Sequence, residues 1–306
     1  MKRILIIHYT QSGQLKEIIY RVKSGFDPDQ TSIDLHEINP VNPYPFPWDN
    51  ETFFDAFPES VQGIPCEIKK LAIDPSKDYD LIILAYQVWY LSPSIPFWSF
   101  LVSNQAREIL QGKKVVTILG VRNMWIMAHE KVSKKILEYK GNHIGNIVLQ
   151  DKHQNLVSVV TIVHWLYTGD KSSFGIFPPA GVSEKDVFES DRFGRIISKN
   201  LVTGDCSGLQ KELVDAGAVK IIPDLMSIEK KAIHIFRAWS KFILKKGPAG
   251  DPARKGRLKM FRIYLFTVIY LVSPIASILF YLTWIFAFPK IRKNIDHYKL
   301  MTKKRK

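Results

Sequence analysis

The stretch ILIIHYTQSGQLKEII, residues Ile4 to Ile19, decides the fold of this chain. Its first four residues are consecutive large aliphatics, which indicates a β-strand buried on both faces. After the turn, Leu15, Ile18 and Val22 recur at helical spacing and predict an amphipathic helix. A turn that contains hydroxyl groups and a glycine therefore joins a buried strand to a helix.

The same alternation of strand and helix patterns continues along the chain. Strands that alternate with helices predict an α/β domain with a doubly wound parallel five-stranded sheet, in which ligands bind at the carboxyl ends of the strands. The four further segments with strand patterns are Thr31 to Asn39, Tyr79 to Tyr90, Lys113 to Trp125 and His143 to Asp151.

Two regions are longer than a minimal five-stranded domain requires, and we expect insertions at about 40–70 and 152–205. The first is rich in proline and aromatic residues, which is typical of a lid over an apolar ligand and equally of packing without a ligand. Residues 1–246 are predicted to form one domain. A basic linker (247–262), an apolar segment (263–288) and a basic tail (289–306) follow it.

The net charge of +14 is unevenly distributed. Residues 241–306 contain 16 Lys and Arg against 2 Asp and Glu, so they carry the whole excess, and residues 1–240 are neutral. A basic excess beside one apolar segment favours membrane lipid as a partner, and we expect no nucleic acid. Cys66 and Cys206 belong to no CxxC or Cys/His cluster, so neither a disulfide framework nor a metal site is expected.

The apolar segment, Ile263 to Phe288, contains 26 residues without a charge. A helix of that length measures roughly 39 Å and can cross a hydrocarbon core of about 30 Å. Basic residues flank both ends, and Pro274 at the midpoint also suits a re-entrant hairpin. We therefore expect a segment that spans or re-enters the membrane and holds the domain at its cytoplasmic face.

The turn after the first strand suits an anion, because the start of a helix presents free backbone N–H groups and the positive end of the helix dipole. Thr10 and Ser12 add hydroxyl donors, and Gly13 permits close approach of a ligand. No GxxxxGK[ST] or GxGxxG pattern is present, so a small phosphate monoester is favoured over a nucleotide triphosphate. An N-capped helix without a ligand is the alternative.

This turn resembles the phosphate loop T-x-[ST]-G-x-[TS] of the flavodoxin-like family, which holds the phosphate of FMN. Thr10, Ser12 and Gly13 match, whereas Leu15 replaces a hydroxyl residue. The resemblance implies that the loop from Thr10 to Leu15, including Gln14, binds the phosphate. It also implies that Trp89 and Tyr90 stack on the isoalloxazine ring, and that the loop from Gly120 to Asn123 meets its pyrimidine edge.

A closer resemblance covers nearly the whole chain. It is carried by the strings YTQSGQL, PFPWDNETFFDAFPE, LAYQVWYLSPSIPFWSFL, GVRNMWIMAHEKV, SVVTIVHW and GIFPPAGVS, together with the C-terminal apolar segment. In these strings the chain resembles the dialkylresorcinol condensing enzyme family of bacterial flexirubin-type pigment clusters, whose members work beside a ketosynthase. The resemblance implies a membrane-bound, FMN-dependent oxidoreductase that aromatises a hydrophobic 2,5-dialkylcyclohexane-1,3-dione to a 2,5-dialkylresorcinol at the bacterial inner membrane.

Aromatisation of such a ring removes a hydride equivalent and a proton from neighbouring carbons. It needs an electron acceptor, a donor that polarises a dione oxygen and a general base. Arg122 is the candidate donor, and His153 and His164, which follow the fifth strand, are the candidate bases. Packing of these side chains without a catalytic role is the alternative for each.

Two other functions fit the same residues. One is a membrane-tethered flavodoxin-like electron carrier, although the neutral composition of residues 1–240 differs from the acidic docking face that such carriers usually have. The other is a flavin-free scaffold for a ketosynthase. Flavin content separates the scaffold from the other two, and oxidation of a dione without a protein partner separates enzyme from carrier.

Overall fold

Five parallel strands form the central sheet of the computed structural model, which describes residues 1–74 and 76–302. The strand order is β2-β1-β3-β6-β7, so the chain adds strands first on one side of β1 and then on the other. The predicted doubly wound five-stranded sheet is therefore confirmed. The strands are β1 (Lys2–His8), β2 (Thr31–Glu37), β3 (Leu81–Tyr86), β6 (Lys114–Val121) and β7 (Asn142–Gln150), and a small hairpin comprises β4 (Val88–Trp89) and β5 (Ser92–Pro93).

Helices flank the sheet and extend the chain beyond it. Those up to β7 are α1 (Gln14–Ser24), α2 (Asn50–Asp55), α3 (Phe57–Gln62), α4 (Ile95–Leu101), α5 (Asn104–Leu110) and α6 (Ile126–Glu138). Those after β7 are α7 (Asn155–Thr168), α8 (Glu184–Phe188), α9 (Asp191–Thr203), α10 (Leu209–Asp215), α11 (Pro223–Leu244), α12 (Lys255–Thr267) and α13 (Ser273–Leu300).

The core confirms the pattern in the first nineteen residues. Ile4 to Ile7 are fully buried in β1, and all six residues of β3 are buried beside them. Leu15, Ile18 and Val22 point from α1 into the same core. The buried residues of β1 and α1 thus pack in one core. The loop that connects β1 to α1 lies at the carboxyl end of the sheet.

The first insertion packs between the sheet and the C-terminal part of the chain. Its helices α2 and α3 share an apolar cluster with α11 and α12 that includes Phe57, Phe236 and Phe261. The rings of Phe57 and Phe261 stack with centroids 3.6 Å apart. The helices α2 and α3 of the insertion are therefore held in place by their packing on α11 and α12.

The C-terminal helix, residues 255–300, comprises α12, a π-helical turn (Val268–Val272) and α13. Proline cannot donate a backbone hydrogen bond and its ring crowds the preceding turn, and the π-turn immediately before Pro274 accommodates it without reversing the chain. Of the two expected alternatives, a spanning and a re-entrant segment, the continuous helix through Pro274 does not show the reversal that a re-entrant hairpin requires. Pro252–Trp284 is long and apolar enough to cross a membrane by length and composition alone. Residues 303–306 of the predicted tail lie outside the described residues.

Candidate functional site

The loop between β1 and α1 forms one side of a cavity at the carboxyl end of the sheet. Gly13 has a φ of +87°, a left-handed conformation that favours glycine, and it precedes the first residue of α1. Its N–H donates to Thr10 Oγ1 at 3.1 Å, so the Thr10 hydroxyl stabilises the turn itself. The N–H groups of Gln14, Leu15 and Lys16 have no acceptor among the described residues. The first turn of α1 is therefore open to an anion.

Ser12 and Gln14 line the cavity beside this turn. The carboxamide of Gln14 is engaged, because Nε2 donates to Val182 O at 2.9 Å and Oε1 accepts the Val182 N–H at 3.0 Å. Gly181 has a φ of +81°, and a Cβ there would lie 2.8 Å from Gln14 Oε1. Gln14 thus joins α1 to the 169–183 loop and closes one side of the cavity.

Leu15, which replaces a hydroxyl residue of the phosphate-loop pattern, is buried at the base of the cavity. It lies opposite Gly120, where an added Cβ would be 3.7 Å from Leu15 Cδ1 and 3.1 Å from Ile18 Cδ1. An apolar side chain at position 15 therefore packs against the end of β6 instead of donating to a phosphate.

Trp89 and Tyr90 lie in the β4–β5 hairpin, which follows β3 directly. Trp89 contacts the rings of Tyr9, Tyr44 and Trp48 at centroid distances of 5.9, 5.0 and 5.3 Å, each close to perpendicular. Tyr90 has a positive φ of 49°, unusual for a residue with a side chain, and its hydroxyl donates to Phe53 O at 2.7 Å. Both aromatic residues line the cavity, and their stacking on the isoalloxazine ring stays a prediction.

Arg122 and Asn123 follow β6 and are fixed by the first residues of α7. Arg122 Nη1 donates to Asn155 Oδ1 at 2.8 Å and to Ser158 Oγ at 3.2 Å, and Asn123 Nδ2 donates to Asn155 Oδ1 at 2.9 Å. Burial lowers the pKa of Arg122 to about 10, and the nearby Asp151 carboxylate opposes this shift. Arg122 has no carboxylate within ion-pair distance among the described residues and lines the cavity as a cation at neutral pH.

The two histidines predicted as bases do not line this cavity. His153 is exposed, and its Nδ1 lies 2.7 Å from Oδ1 of the buried Asp151. His164 lies on α7, and its ring stacks on Phe174 with centroids 3.9 Å apart. Of the three predicted catalytic residues, only Arg122 lies at the cavity, and the roles of the two histidines stay predictions.

The first insertion covers the cavity. Trp48 N–H donates to Leu166 O at 2.7 Å, which joins the insertion to α7. Gln11 Nε2 donates to Tyr44 O at 3.1 Å and to Pro45 O at 2.6 Å, which joins it to the loop after β1. The insertion therefore lies over the strand ends, as expected of a lid.

The cavity has a volume of about 230 Å³. Its lining is mainly apolar and aromatic, with polar groups from the loops after β1, β3 and β6. Several of the lining side chains were not predicted from the sequence, although Trp48 and Phe53 belong to the insertion that its proline and aromatic content had indicated. The contribution of α7 to the cavity depends on how this helix packs on the insertion, which only the structure shows. The lining residues not predicted individually include Gln11, Trp48, Phe53, Gln87, Ile162 and Trp165.

Comparisons with known proteins returned similar solved structures only. No family model and no curated protein matches the chain. A flavoprotein from Lactobacillus acidophilus in complex with FMN is 21% identical and covers 48% of this chain and 93% of its own, with a TM-score of 0.39. A flavodoxin from the domain Archaea is 12% identical and covers 65% of this chain and 98% of its own, with a TM-score of 0.36.

The strand order decides the fold. The chain has a flavodoxin-like fold. The order β2-β1-β3-β6-β7 is the flavodoxin-like order 2-1-3-4-5, with the switch between β1 and β3 beside the cavity. In this flavodoxin-like chain, ligands are expected where the cavity lies, at the carboxyl ends of β1, β3 and β6.

Proposed function

We propose that the chain is a membrane-associated, FMN-dependent oxidoreductase that aromatises a 2,5-dialkylcyclohexane-1,3-dione to a 2,5-dialkylresorcinol. The proposal rests on the resemblance to the dialkylresorcinol condensing enzyme family. The observation that supports it best is an aromatic cavity at the flavodoxin switch point, in which Arg122 is the one cation among the described lining residues. Neighbours of the same fold include a flavoprotein in complex with FMN.

The residues at the cavity fit FMN. The open N–H groups of Gln14, Leu15 and Lys16 suit the phosphate, with Ser12 beside them. Asn123 Oδ1 is buried without a hydrogen-bond partner among the described residues, and a carboxamide oxygen suits an N–H of the flavin pyrimidine edge. When bound, the flavin would supply the acceptor for the hydride equivalent.

Binding of a flavin and a substrate requires more room than the cavity has. Its volume of about 230 Å³ is below the roughly 300–1,000 Å³ of most ligand pockets. Two surface segments cover it, the insertion at 40–70 and the 169–183 loop. We infer that the 169–183 loop and the part of the insertion before α2 move outward on binding, while the sheet, α1, α2 and α3 remain in place.

Arg122 would bind the dione oxygen. A 1,3-dione is acidic because its enolate is delocalised over both carbonyl groups, and a half-buried cation without a carboxylate partner stabilises that anion. Burial holds the pKa of Tyr90 well above its ordinary value, so Tyr90 stays protonated and does not serve as a base at neutral pH. Binding of the dione as an enolate beside Arg122 places the single net proton loss before the hydride loss.

After the hydride loss, a proton must still move from a ring carbon to a ring oxygen as the product tautomerises to the resorcinol, and His153 would carry it. Asp151 is buried and orients the imidazole of His153 through Nδ1. This arrangement leaves His153 Nε2 available as a proton acceptor, the role that the sequence proposed for it. Because His153 is exposed, it would act on the proton through solvent or after the covering segments move.

An electron carrier is the second candidate, and a flavin-free scaffold the third. A carrier exposes the edge of its flavin to a partner protein, whereas here the insertion covers the carboxyl ends of the strands with Trp48 and Phe53. The covered cavity therefore favours an enzyme with its own small substrate.

The proposal is tested by the absorbance spectrum of the purified full chain in detergent, followed by anaerobic addition of a dialkylcyclohexanedione. We expect a two-band flavin spectrum that bleaches on addition of the dione, with resorcinol formed in proportion. A flavin spectrum that the dione does not bleach would favour the carrier. A colourless protein that FMN cannot reconstitute would favour the scaffold.

A further inference from the structure

The C-terminal helix contacts the folded domain along its whole length. At its start, the guanidinium of Arg254 is fully buried, and its two terminal nitrogens donate to Glu59 at 2.8 and 2.9 Å. At its end, the buried Tyr298 donates through its hydroxyl to Glu130. Glu59 and Glu130 belong to α3 and α6 of the same domain, so both ends of the apolar segment are held on one body.

The middle of the helix is held as well. Ser277 Oγ donates to the carboxylate of Asp224, at the start of α11, at 2.8 Å, and the Tyr281 hydroxyl donates to the same carboxylate at 3.3 Å. Further along, Phe280 and Trp284 pack against the main core cluster. A carboxylate that contacts the midpoint of the segment would be costly in the centre of a bilayer.

The opposite side of the helix is apolar and exposed. Leu271, Ile278 and Leu282 are 63%, 61% and 68% exposed, far more than side chains of this kind need to be in a folded protein. Exposed positions recur every three or four residues, which is the spacing of one helix face. These positions are Met260, Ile263, Thr267, Leu271, Ile275, Ile278 and Leu282.

Basic side chains lie exposed at both ends of this apolar face. Lys259 precedes it, and Lys290 and Lys293 follow it. An apolar strip with exposed lysines at both ends is complementary to the surface of an anionic bilayer, whose headgroups attract lysine and whose acyl chains accept the apolar side chains.

We propose that the C-terminal helix lies in the plane of the membrane surface and does not cross the bilayer. One face packs on the domain and the other inserts among the lipids, which explains why the segment is apolar all round. A spanning helix would place Tyr298 on the far side of the bilayer from Arg254, and the contact with Glu130 would be lost. This proposal rests on the membrane association within the proposed function, and on neither flavin nor the reaction.

The in-plane helix lies beside the insertion that covers the cavity. The centroid of the Phe266 ring lies 6.3 Å from that of Phe54 in the insertion. A membrane-dissolved substrate would thus meet the covering insertion at the lipid surface, without passing through water.

The topology is tested by labelling the full chain in inside-out vesicles from expressing cells. Single cysteines replace exposed lysines on either side of the apolar segment, Lys246→Cys and Lys293→Cys, in a Cys66→Ser, Cys206→Ser background. A membrane-impermeant maleimide is expected to label both positions equally before detergent is added. Labelling of Lys293→Cys only after detergent opens the vesicles would overturn the proposal and establish a spanning helix. Protein recovered in the supernatant would refute membrane association altogether and leave the flavin assay untouched.

A depth measurement gives an independent result. Environment-sensitive probes at Leu271→Cys and Leu282→Cys are quenched by lipids that carry a quencher at known depths, in vesicles of phosphatidylcholine and phosphatidylglycerol. An in-plane helix places both probes at one shallow depth. A spanning helix would separate them by roughly 16 Å, at about 1.5 Å per residue, and that outcome would overturn the proposal. A probe at Lys246→Cys is the control outside the lipid.

Discussion

Arg122 is the side chain on which the proposed reaction depends most. It is half-buried at the cavity, is held by Asn155 and Ser158, and has no carboxylate within ion-pair distance in the described chain. We expect Arg122→Ala to lower kcat/KM for the dione by roughly 100-fold, the usual effect of removing one donor to a developing oxyanion. Arg122→Lys keeps the charge and should retain part of the activity.

The control for this prediction is Arg107→Ala, an exposed arginine on α5. Anaerobic rates of flavin bleaching and circular dichroism are measured for all three variants. An alanine variant at position 122 that is folded and as active as the wild type would show that Arg122 does not bind the dione oxygen.

Gly194 is a packing glycine at the crossing of α1 and α9. A Cβ at this position would lie 1.9 Å from the carbonyl oxygen of Val22, a backbone atom that cannot move aside without shifting α1. We expect Gly194→Ala to lower the free energy of unfolding by at least about 1–3 kcal/mol. Gly256→Ala is the matched control, because nothing lies within 4 Å of a Cβ there. Gly256→Ala should raise the free energy of unfolding by up to about 1 kcal/mol, because alanine favours a helix more than glycine does.

Thermal unfolding of both glycine variants in detergent measures these effects. Equal melting temperatures for Gly194→Ala and Gly256→Ala would contradict the close approach of the two helices.

The contact between α11 and α6 contains a buried acid. Glu229, on α11, accepts the Met127 N–H at 2.8 Å in the first turn of α6. Burial raises the pKa of Glu229 from 4.5 to about 7, so the folded state holds a proton that the unfolded state releases. The proton on Glu229 contributes fully to the free energy of unfolding below pH 4.5, the pKa of the group in the unfolded chain. This contribution is lost as the pH rises through about 7, the pKa in the folded protein.

Glu229→Gln keeps the acceptor and removes the charge. We expect it to raise the free energy of unfolding by up to about 3 kcal/mol at about pH 8, and to change it little at about pH 4.5. Denaturant titrations at the two pH values measure the difference, and Glu108→Gln on the surface of α5 is the control. The same change in stability at both pH values would refute a raised pKa.

The junction between the insertion and the C-terminal helix depends on one ion-pair cluster. Arg254 donates to both carboxylate oxygens of Glu59 and to the Asp55 carbonyl, and its Nε lies 3.0 Å from Asp55 Oδ1 without hydrogen-bond geometry. Arg254→Ala leaves a buried carboxylate unpaired and is expected to cost about 3–5 kcal/mol. Lys255→Ala removes an exposed pair with Glu51 and should cost at most about 1 kcal/mol.

Hydrogen exchange of the α3 and α12 amides measures where the stability is lost. Faster exchange in both helices for Arg254→Ala, and in neither for Lys255→Ala, is the expected result. Unchanged exchange in the Arg254 variant would mean that the apolar cluster alone holds the C-terminal helix on the insertion.

The charge of the molecule is divided between a neutral domain and a basic C-terminal part. Because residues 241–306 carry the whole excess, binding to anionic vesicles should weaken between low salt and about 0.5 M salt, where the Debye length falls below about 8 Å. Binding to phosphatidylcholine vesicles, which depends on the exposed apolar face, should be unaffected by salt. Flotation at both salt concentrations measures the two contributions. Loss of all binding at high salt would mean that the apolar face does not insert.

Most of the fold was predictable because it depends on local patterns. The apolar run at Ile4 to Ile7 and the spacing of Leu15, Ile18 and Val22 dictate β1 and α1, and the same alternation gives the other strands. Local pattern left open whether the chain reverses at Pro274; in the structure the helix continues through a π-turn before the proline.

The sequence alone determined the parallel sheet, the placement of a site after β1, β3 and β6, and the presence of a long uncharged segment, because periodicity and composition act over short stretches of chain. Only the tertiary structure decided which side chains share the cavity. Arg122 is held at the cavity by its hydrogen bonds to Asn155 and Ser158 at the start of α7, and Trp48 reaches it through the insertion, whereas His153 and His164 stay outside it. The tertiary structure also decided that both ends of the apolar segment contact the same folded domain. Contacts between residues far apart in the chain depend on how whole elements pack, and no local pattern encodes that.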